Sequence, residues 1–140
     1  MATTQSRNFW RWVTAPVLTA GVFFGIYWLG KYLTGRSDFF TGSIFGQCCG
    51  LFLTYLVAAL VTIIVSYWSF PKAKVVISIV VASAIIVYGG YMIGHAMFNP
   101  NDGFIKVLAA AAPLILVPVL YFILSAKARK EIHDIKILSK

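Results

Sequence analysis

Four long runs of apolar residues, free of Asp, Glu, Lys and Arg, alternate along the chain with short segments that carry the charged residues. The runs extend from Trp12 to Gly30, Phe39 to Phe70, Val75 to Asn101 and Val107 to Ala126. Each is close to or above the roughly 20 residues that a helix needs to cross the hydrocarbon core of a bilayer. A membrane barrel needs alternating apolar and polar positions, whereas these runs are apolar at consecutive positions. The pattern therefore predicts an all-α integral membrane protein with four transmembrane helices in a compact bundle.

The predicted spans lie at about residues 12–33, 40–70, 75–98 and 105–125, within a four-helix transmembrane domain of residues 9–126. Residues 1–8 are predicted to form a polar N-terminal tail, and residues 127–140 a short basic tail at the C-terminus. In this second tail Ile132, Ile135 and Leu138 recur at about one helical turn, so a helix there is amphipathic. We expect it to rest on the membrane surface.

The second run is too long for a simple span. As one helix, Phe39 to Phe70 would measure about 48 Å, compared with about 30 Å of hydrocarbon. Three arrangements accommodate this length: a strongly tilted helix, a helix that projects beyond the bilayer, or a break between Gly42 and Gly50.

Small residues recur at every fourth position of the second run, and in a helix they form a groove that another helix can approach closely. Close approach over small residues holds membrane helices together, since lipid supplies little hydrophobic drive for their association. We call this set the small-residue row: Gly42, Gly46, Gly50, Thr54, Ala58, Thr62 and Ser66. Two further pairs with the same spacing, Gly21 with Gly25 and Gly90 with Gly94, are predicted to belong to the helix-packing interface.

Nine of the 12 basic residues lie on one side of the predicted topology, which orients the protein because cytoplasmic loops are enriched in Lys and Arg. These nine are Arg7, Arg11, Lys72, Lys74, Lys127, Arg129, Lys130, Lys136 and Lys140, while Lys31, Arg36 and Lys106 lie on the other side. Both termini are therefore predicted to face the cytoplasm.

The formal net charge of +8 does not indicate nucleic-acid binding, because the basic residues occupy helix ends and a short tail and do not line a face with interleaved aromatics. Attraction to anionic lipid headgroups is the preferred interpretation, with the lipid bilayer as the first partner. The predicted membrane-surface anchors are Arg7, Trp10, Arg11, Trp12, Lys127, Arg129 and Lys130.

Few residues are candidates for chemistry, and no catalytic, cofactor or metal site is predicted. His95 could be a haem ligand, a quinone contact or a proton relay, but is interpreted as a polar residue at the membrane interface. Cys48 and Cys49 could be redox-active or lipidated, but thiols inside a span usually act as small apolar fillers. No Asp or Glu falls within the four spans, which disfavours ion-coupled transport.

Two classes of function remain. The first is a non-catalytic structural or accessory subunit of a membrane protein assembly, which binds other membrane proteins or copies of itself through the small-residue surfaces. The alternative is a small oligomeric pore, holin-like or transporting a small solute, because glycine-lined helices with hydroxyl side chains also suit a pore. In either case the expected location is the bacterial inner (cytoplasmic) membrane.

Overall fold

A computed structural model describes residues 2–70, 74–99 and 103–139, and the side chains from Arg7 onwards within these ranges apart from Asn8. Five helices occupy these residues: α1 (Ala2–Gly35), α2 (Asp38–Thr41), α3 (Ile44–Ser69), α4 (Lys74–Phe98) and α5 (Phe104–Leu138). No strand is found within the described ranges. The all-helical class is thereby confirmed.

Four of the helices are long and apolar enough to cross a membrane. The candidate spans are Phe9–Gly35 in α1 and the whole of α3, α4 and α5. The protein is a multi-pass integral membrane protein, as the alternation of apolar runs predicts.

The second apolar run is broken near its start. The short helix α2 ends at Thr41, and Ser43 is extended, with φ −142° and ψ 156°. Its hydroxyl accepts a hydrogen bond from the backbone N–H of Gly46 at 3.0 Å, which caps α3. With 26 residues, α3 is about 39 Å long, so the break removes much of the excess length.

The two terminal segments continue the helices next to them. α1 begins at Ala2, so the helix extends into the polar segment ahead of the predicted span. The segment from Ala2 to Ala15 contains no Gly or Pro, so it contains no residue that would break the helix. α5 likewise runs unbroken to Leu138, and its two prolines, Pro113 and Pro118, are both fully buried.

α3 lies at the centre of the bundle. It packs against α1, α4 and α5, and α5 also packs against α4. Within the described ranges the backbone of α1 approaches only α2 and α3. The core joins α3, α4 and α5, and its buried residues are Tyr55, Ala59, Ile63, Ala82, Ile85, Ala110, Leu114 and Val117. α1 is therefore a peripheral helix held on one side.

The two ends of the bundle can be identified from contacts between helix termini. At one end the rings of Trp12 in α1 and Phe70, just after α3, meet edge to face, with their centroids 5.4 Å apart. At the other, Lys31, Gln47 and Lys106 line a common cavity. We call these the Trp12 end and the Lys106 end.

Candidate functional site

The small-residue row is largely filled from within the chain. Every member from Gly46 to Ser66 is buried, whereas Gly42 is exposed at the turn before α3. Ala58 and Ser66 are completely inaccessible. Most of this groove therefore packs the chain's own helices together.

Two glycines and two threonines form a close contact between α1 and α3. A Cβ atom built at Gly30 would meet the side chain of Thr54, and its distance to the Thr54 Cβ would be only 3.0 Å. A Cβ atom at Gly50 would lie 3.2 Å from the methyl carbon of Thr34. Gly30 and Thr34 were not predicted as packing residues, although their spacing of four matches that of the small-residue row. Glycine at these positions allows the two backbones to approach closely.

The other two predicted pairs face away from the chain. At Gly21, Gly25, Gly90 and Gly94 an added Cβ atom would have no atom of another helix within 4 Å. We call Gly21 with Gly25 the α1 furrow, and Gly90 with Gly94 the α4 furrow. The packing glycine of α4 is instead Gly89, where a Cβ atom would lie 3.1 Å from the Leu114 Cβ in α5. The spacing of four residues predicted Gly90 and Gly94, which approach no other helix, and did not predict Gly89, which packs against α5.

Most of the buried hydroxyls are satisfied by the helix that carries them. Thr54 donates to the carbonyl of Gly50 at 2.8 Å, and Ser66 to that of Ile63 at 2.7 Å. The hydroxyl of Thr62 is different, because it is buried without a hydrogen-bond partner. Such a group is costly in an apolar environment until a partner is supplied.

Thr62 borders an apolar gap between α1 and α4. The gap has a volume of about 450 Å³, and its walls include Phe23 from α1 and Val81 from α4. The rings of Phe23 and Tyr88 meet across it edge to face, with centroids 6.2 Å apart. Side chains rather than closely packed backbones therefore connect these two helices.

The predicted membrane-surface anchors are exposed. The N-terminal set lies in the first turns of α1, up to the start of its apolar run, and consists of Arg7, Trp10, Arg11 and Trp12. The C-terminal set lies in the last part of α5 and consists of Lys127, Arg129 and Lys130. Arg129 lines a cavity together with Trp68 near the end of α3. Both sets therefore lie toward the Trp12 end, where the chain concentrates positive charge.

The candidate chemical residues lie in the last turn of α4 and near the start of α3. His95 is exposed in the last turn of α4, with the amide nitrogen of Asn99 3.4 Å from its Nε2 and the Tyr91 ring 6.0 Å away between centroids. Cys48 and Cys49 are half-buried free thiols near the start of α3. In the part of the chain that the structure describes, no three His, Cys, Asp or Glu side chains are grouped so that they could hold a metal ion.

Comparison with known proteins adds no assignment. No protein-family model, no curated protein sequence and no solved structure matches this chain. Function must therefore be argued from the surfaces described above.

Proposed function

We propose that this protein is a non-catalytic structural or accessory subunit of a membrane protein assembly, whose partners are other membrane proteins or further copies of itself. We place it in the bacterial inner membrane with both termini in the cytoplasm, since the basic residues gather at the Trp12 end. The open α1 and α4 furrows carry the proposal.

The furrows support it because small residues on a lipid-facing surface leave shallow depressions. A second helix fills these better than acyl chains do, through van der Waals contact along its length. Close contacts between the chain's own helices are made at Gly30, Gly50 and Gly89, whereas the glycines of the two furrows make none.

The large exposed surface of α1 supports the same proposal. Only 11% of the residues in its most apolar window are buried, compared with 39% in α3. α1 packs closely on α3 along one side, and the rest of its surface is free to contact a partner helix. An assembly would cover the outer side of α1, including Gly21 and Gly25.

The test is purification from the native membrane in a mild detergent, with the particle mass and the co-purifying chains measured. The proposal predicts a particle larger than one chain with its detergent, containing either stoichiometric companions or several copies. A monodisperse single chain would contradict it.

The second candidate is a small oligomeric pore, and the observation that favours it is the partnerless hydroxyl of Thr62 beside the gap between α1 and α4. In an oligomer, water or a neighbouring copy could supply the missing hydrogen bond. Ion or solute flux through liposomes that contain the purified protein, above the flux of empty liposomes, would favour the pore over the accessory subunit.

A further inference from the structure

A groove runs between α3 and α5 toward the Trp12 end of the bundle, and it has a volume of about 780 Å³. This volume lies within the range of about 300–1,000 Å³ that is typical of small-molecule sites. We call it the α3–α5 groove. Its apolar part includes Leu56, Leu60, Ile63, Ile64, Val117 and Leu120.

The character of the groove changes along its length. Leu56 and Val117 line its deep part, toward the middle of both helices. Tyr67, Trp68 and Arg129 line its opposite part, where α3 ends and α5 leaves the apolar run. A molecule that fills it would thus have an apolar portion within the membrane and a polar or charged portion at the interface.

Arg129 lines the polar part of the groove, and a second cation, Lys74, lies next to two of the aromatic residues that line it. The ammonium group of Lys74 lies 5.7 Å from the ring centroid of Tyr67 and 5.9 Å from that of Trp68. Cations over aromatic rings at these distances are held in place electrostatically. The mouth of the groove therefore presents positive charge on an aromatic frame.

No acidic residue of α5 is placed to neutralise Arg129 along its own face. Glu131 and Asp134 follow it by two and five positions, whereas neighbours on one helix face are three or four apart. The residues at those spacings that share the groove are Ser125 and Ile132. Arg129 therefore shares the groove with a serine and an isoleucine, and neither acidic residue of α5 stands at those spacings from it.

From this arrangement we infer that the α3–α5 groove binds an anionic glycerophospholipid, with one acyl chain along the apolar part and the phosphate at Arg129. Guanidinium groups bind phosphate oxygens through paired, charge-assisted hydrogen bonds. Tyr67 and Trp68 are of the residue types that occupy the headgroup level of membranes. A transmembrane helix from another protein is a poorer occupant, because it would remove Arg129 from water without supplying a negative charge.

The inference goes beyond the accessory-subunit proposal and does not depend on it, because the groove lies between two helices of one chain. If the Trp12 end is cytoplasmic, the groove opens to the leaflet that carries most of the anionic lipid.

The test uses the full-length protein in detergent, mixed with equal amounts of phosphatidylglycerol and phosphatidylcholine that carry identical acyl chains. Native mass spectrometry then counts the lipid molecules retained on each protein particle. We expect retention of one phosphatidylglycerol per chain in preference to phosphatidylcholine. Arg129→Gln should lower that retention about ten-fold, as expected for the loss of a charge-assisted hydrogen bond.

Lys130→Gln is the matched control, because it removes the same charge one residue further along α5 and Lys130 does not line the groove. It should leave lipid retention unchanged. Ile64→Trp tests the apolar part, since Ile64 lines the groove and is 54% exposed, so a larger side chain can occupy the groove without disturbing the core. It should reduce retention while Arg129 stays intact.

Three results would each overturn the inference. The first is no retained lipid on the wild-type protein, and the second is equal retention of the two lipids. The third is an equal loss of phosphatidylglycerol in Arg129→Gln and Lys130→Gln, which would indicate diffuse attraction to the basic tail. Elution of every variant at the wild-type volume on size exclusion confirms that the fold is intact.

Discussion

Gly30 of α1 lies against Thr54 of α3, and the same relationship is repeated in reverse four residues along, where Gly50 of α3 lies against Thr34 of α1. Each threonine donates its hydroxyl to the carbonyl of the glycine four residues before it, Thr34 to Gly30 and Thr54 to Gly50, both at 2.8 Å. The hydroxyls are thus satisfied within their own helices. The contact between the helices is therefore one of close packing, which explains how the peripheral α1 is held.

This contact leads to the first prediction. Gly30→Ala should lower the free energy of unfolding by about 1–3 kcal/mol, because the new methyl group would overlap the Thr54 side chain and force α1 away from α3. Thermal unfolding of the detergent-solubilised protein, followed by the loss of its monodisperse elution peak, measures the change.

Gly25→Ala is the matched control on the same helix, because a Cβ atom there meets nothing within 4 Å. It should be neutral or slightly stabilising, since alanine favours helix over glycine by roughly 0.5–1 kcal/mol. Equal destabilisation by the two variants would show that the contact between Gly30 and Thr54 does not hold α1 in place.

The number and class of the spans could be read from the sequence because they follow from a coarse property, the length of each charge-free run. The small-residue row could also be predicted to be a close-packed face, because the size and spacing of its residues can be read from the sequence. Which small residues face another helix depends on how the helices are rotated. A spacing of four fits Gly90 with Gly94 as well as any other pair, yet Gly89 is the residue that packs against Leu114.

The helix ends were harder to foresee than the spans. The excess length of the second run indicated that it could be broken, and the break falls at the first glycine of the row, where Ser43 can cap α3. α1 begins at Ala2, ahead of the predicted span, because residues 2–8, although polar, contain no helix-breaking residue. Arg129 was predicted to be a general surface anchor, and only the packing of α3 against α5 places it at a groove.

The cap at Ser43 gives the second prediction. Ser43→Ala removes the acceptor for the Gly46 N–H, and should lower stability by about 1 kcal/mol, whereas Ser43→Asp should retain most of it. Thr41→Ala is a suitable control, since this exposed hydroxyl bonds only within the preceding turn, to the carbonyl of Ser37. The same unfolding assay applies, and equal stability of Ser43→Ala and wild type would argue against a capping role.

The third prediction concerns topology. In a background of Cys48→Ala and Cys49→Ala, single cysteines are introduced at Arg7, Asp38, Lys106 and Lys136, two toward each end of the bundle. A membrane-impermeant thiol reagent added to intact cells should label Asp38→Cys and Lys106→Cys, and should reach Arg7→Cys and Lys136→Cys only after the membrane is opened. Labelling of Arg7→Cys and Asp38→Cys from the same side would contradict α1 as a span.

The fourth prediction separates packing within the chain from packing between chains. Gly21→Leu and Gly90→Leu each place a large side chain in a furrow, the first in α1 and the second in α4. Because no atom of another helix lies within 4 Å of the new Cβ atom, the unfolding temperature of each variant should stay close to that of wild type. If a partner helix occupies the furrows, the same side chains hold it away. Overpacking of about 1–3 kcal/mol corresponds to a loss of association of about five-fold to more than a hundred-fold. The mass of the particle in mild detergent should then fall toward that of one chain. Gly89→Leu, by contrast, should disrupt the fold itself, because its side chain would collide with Leu114 of α5. An unchanged particle mass in both furrow variants, with the fold intact, would show that neither furrow is an assembly surface.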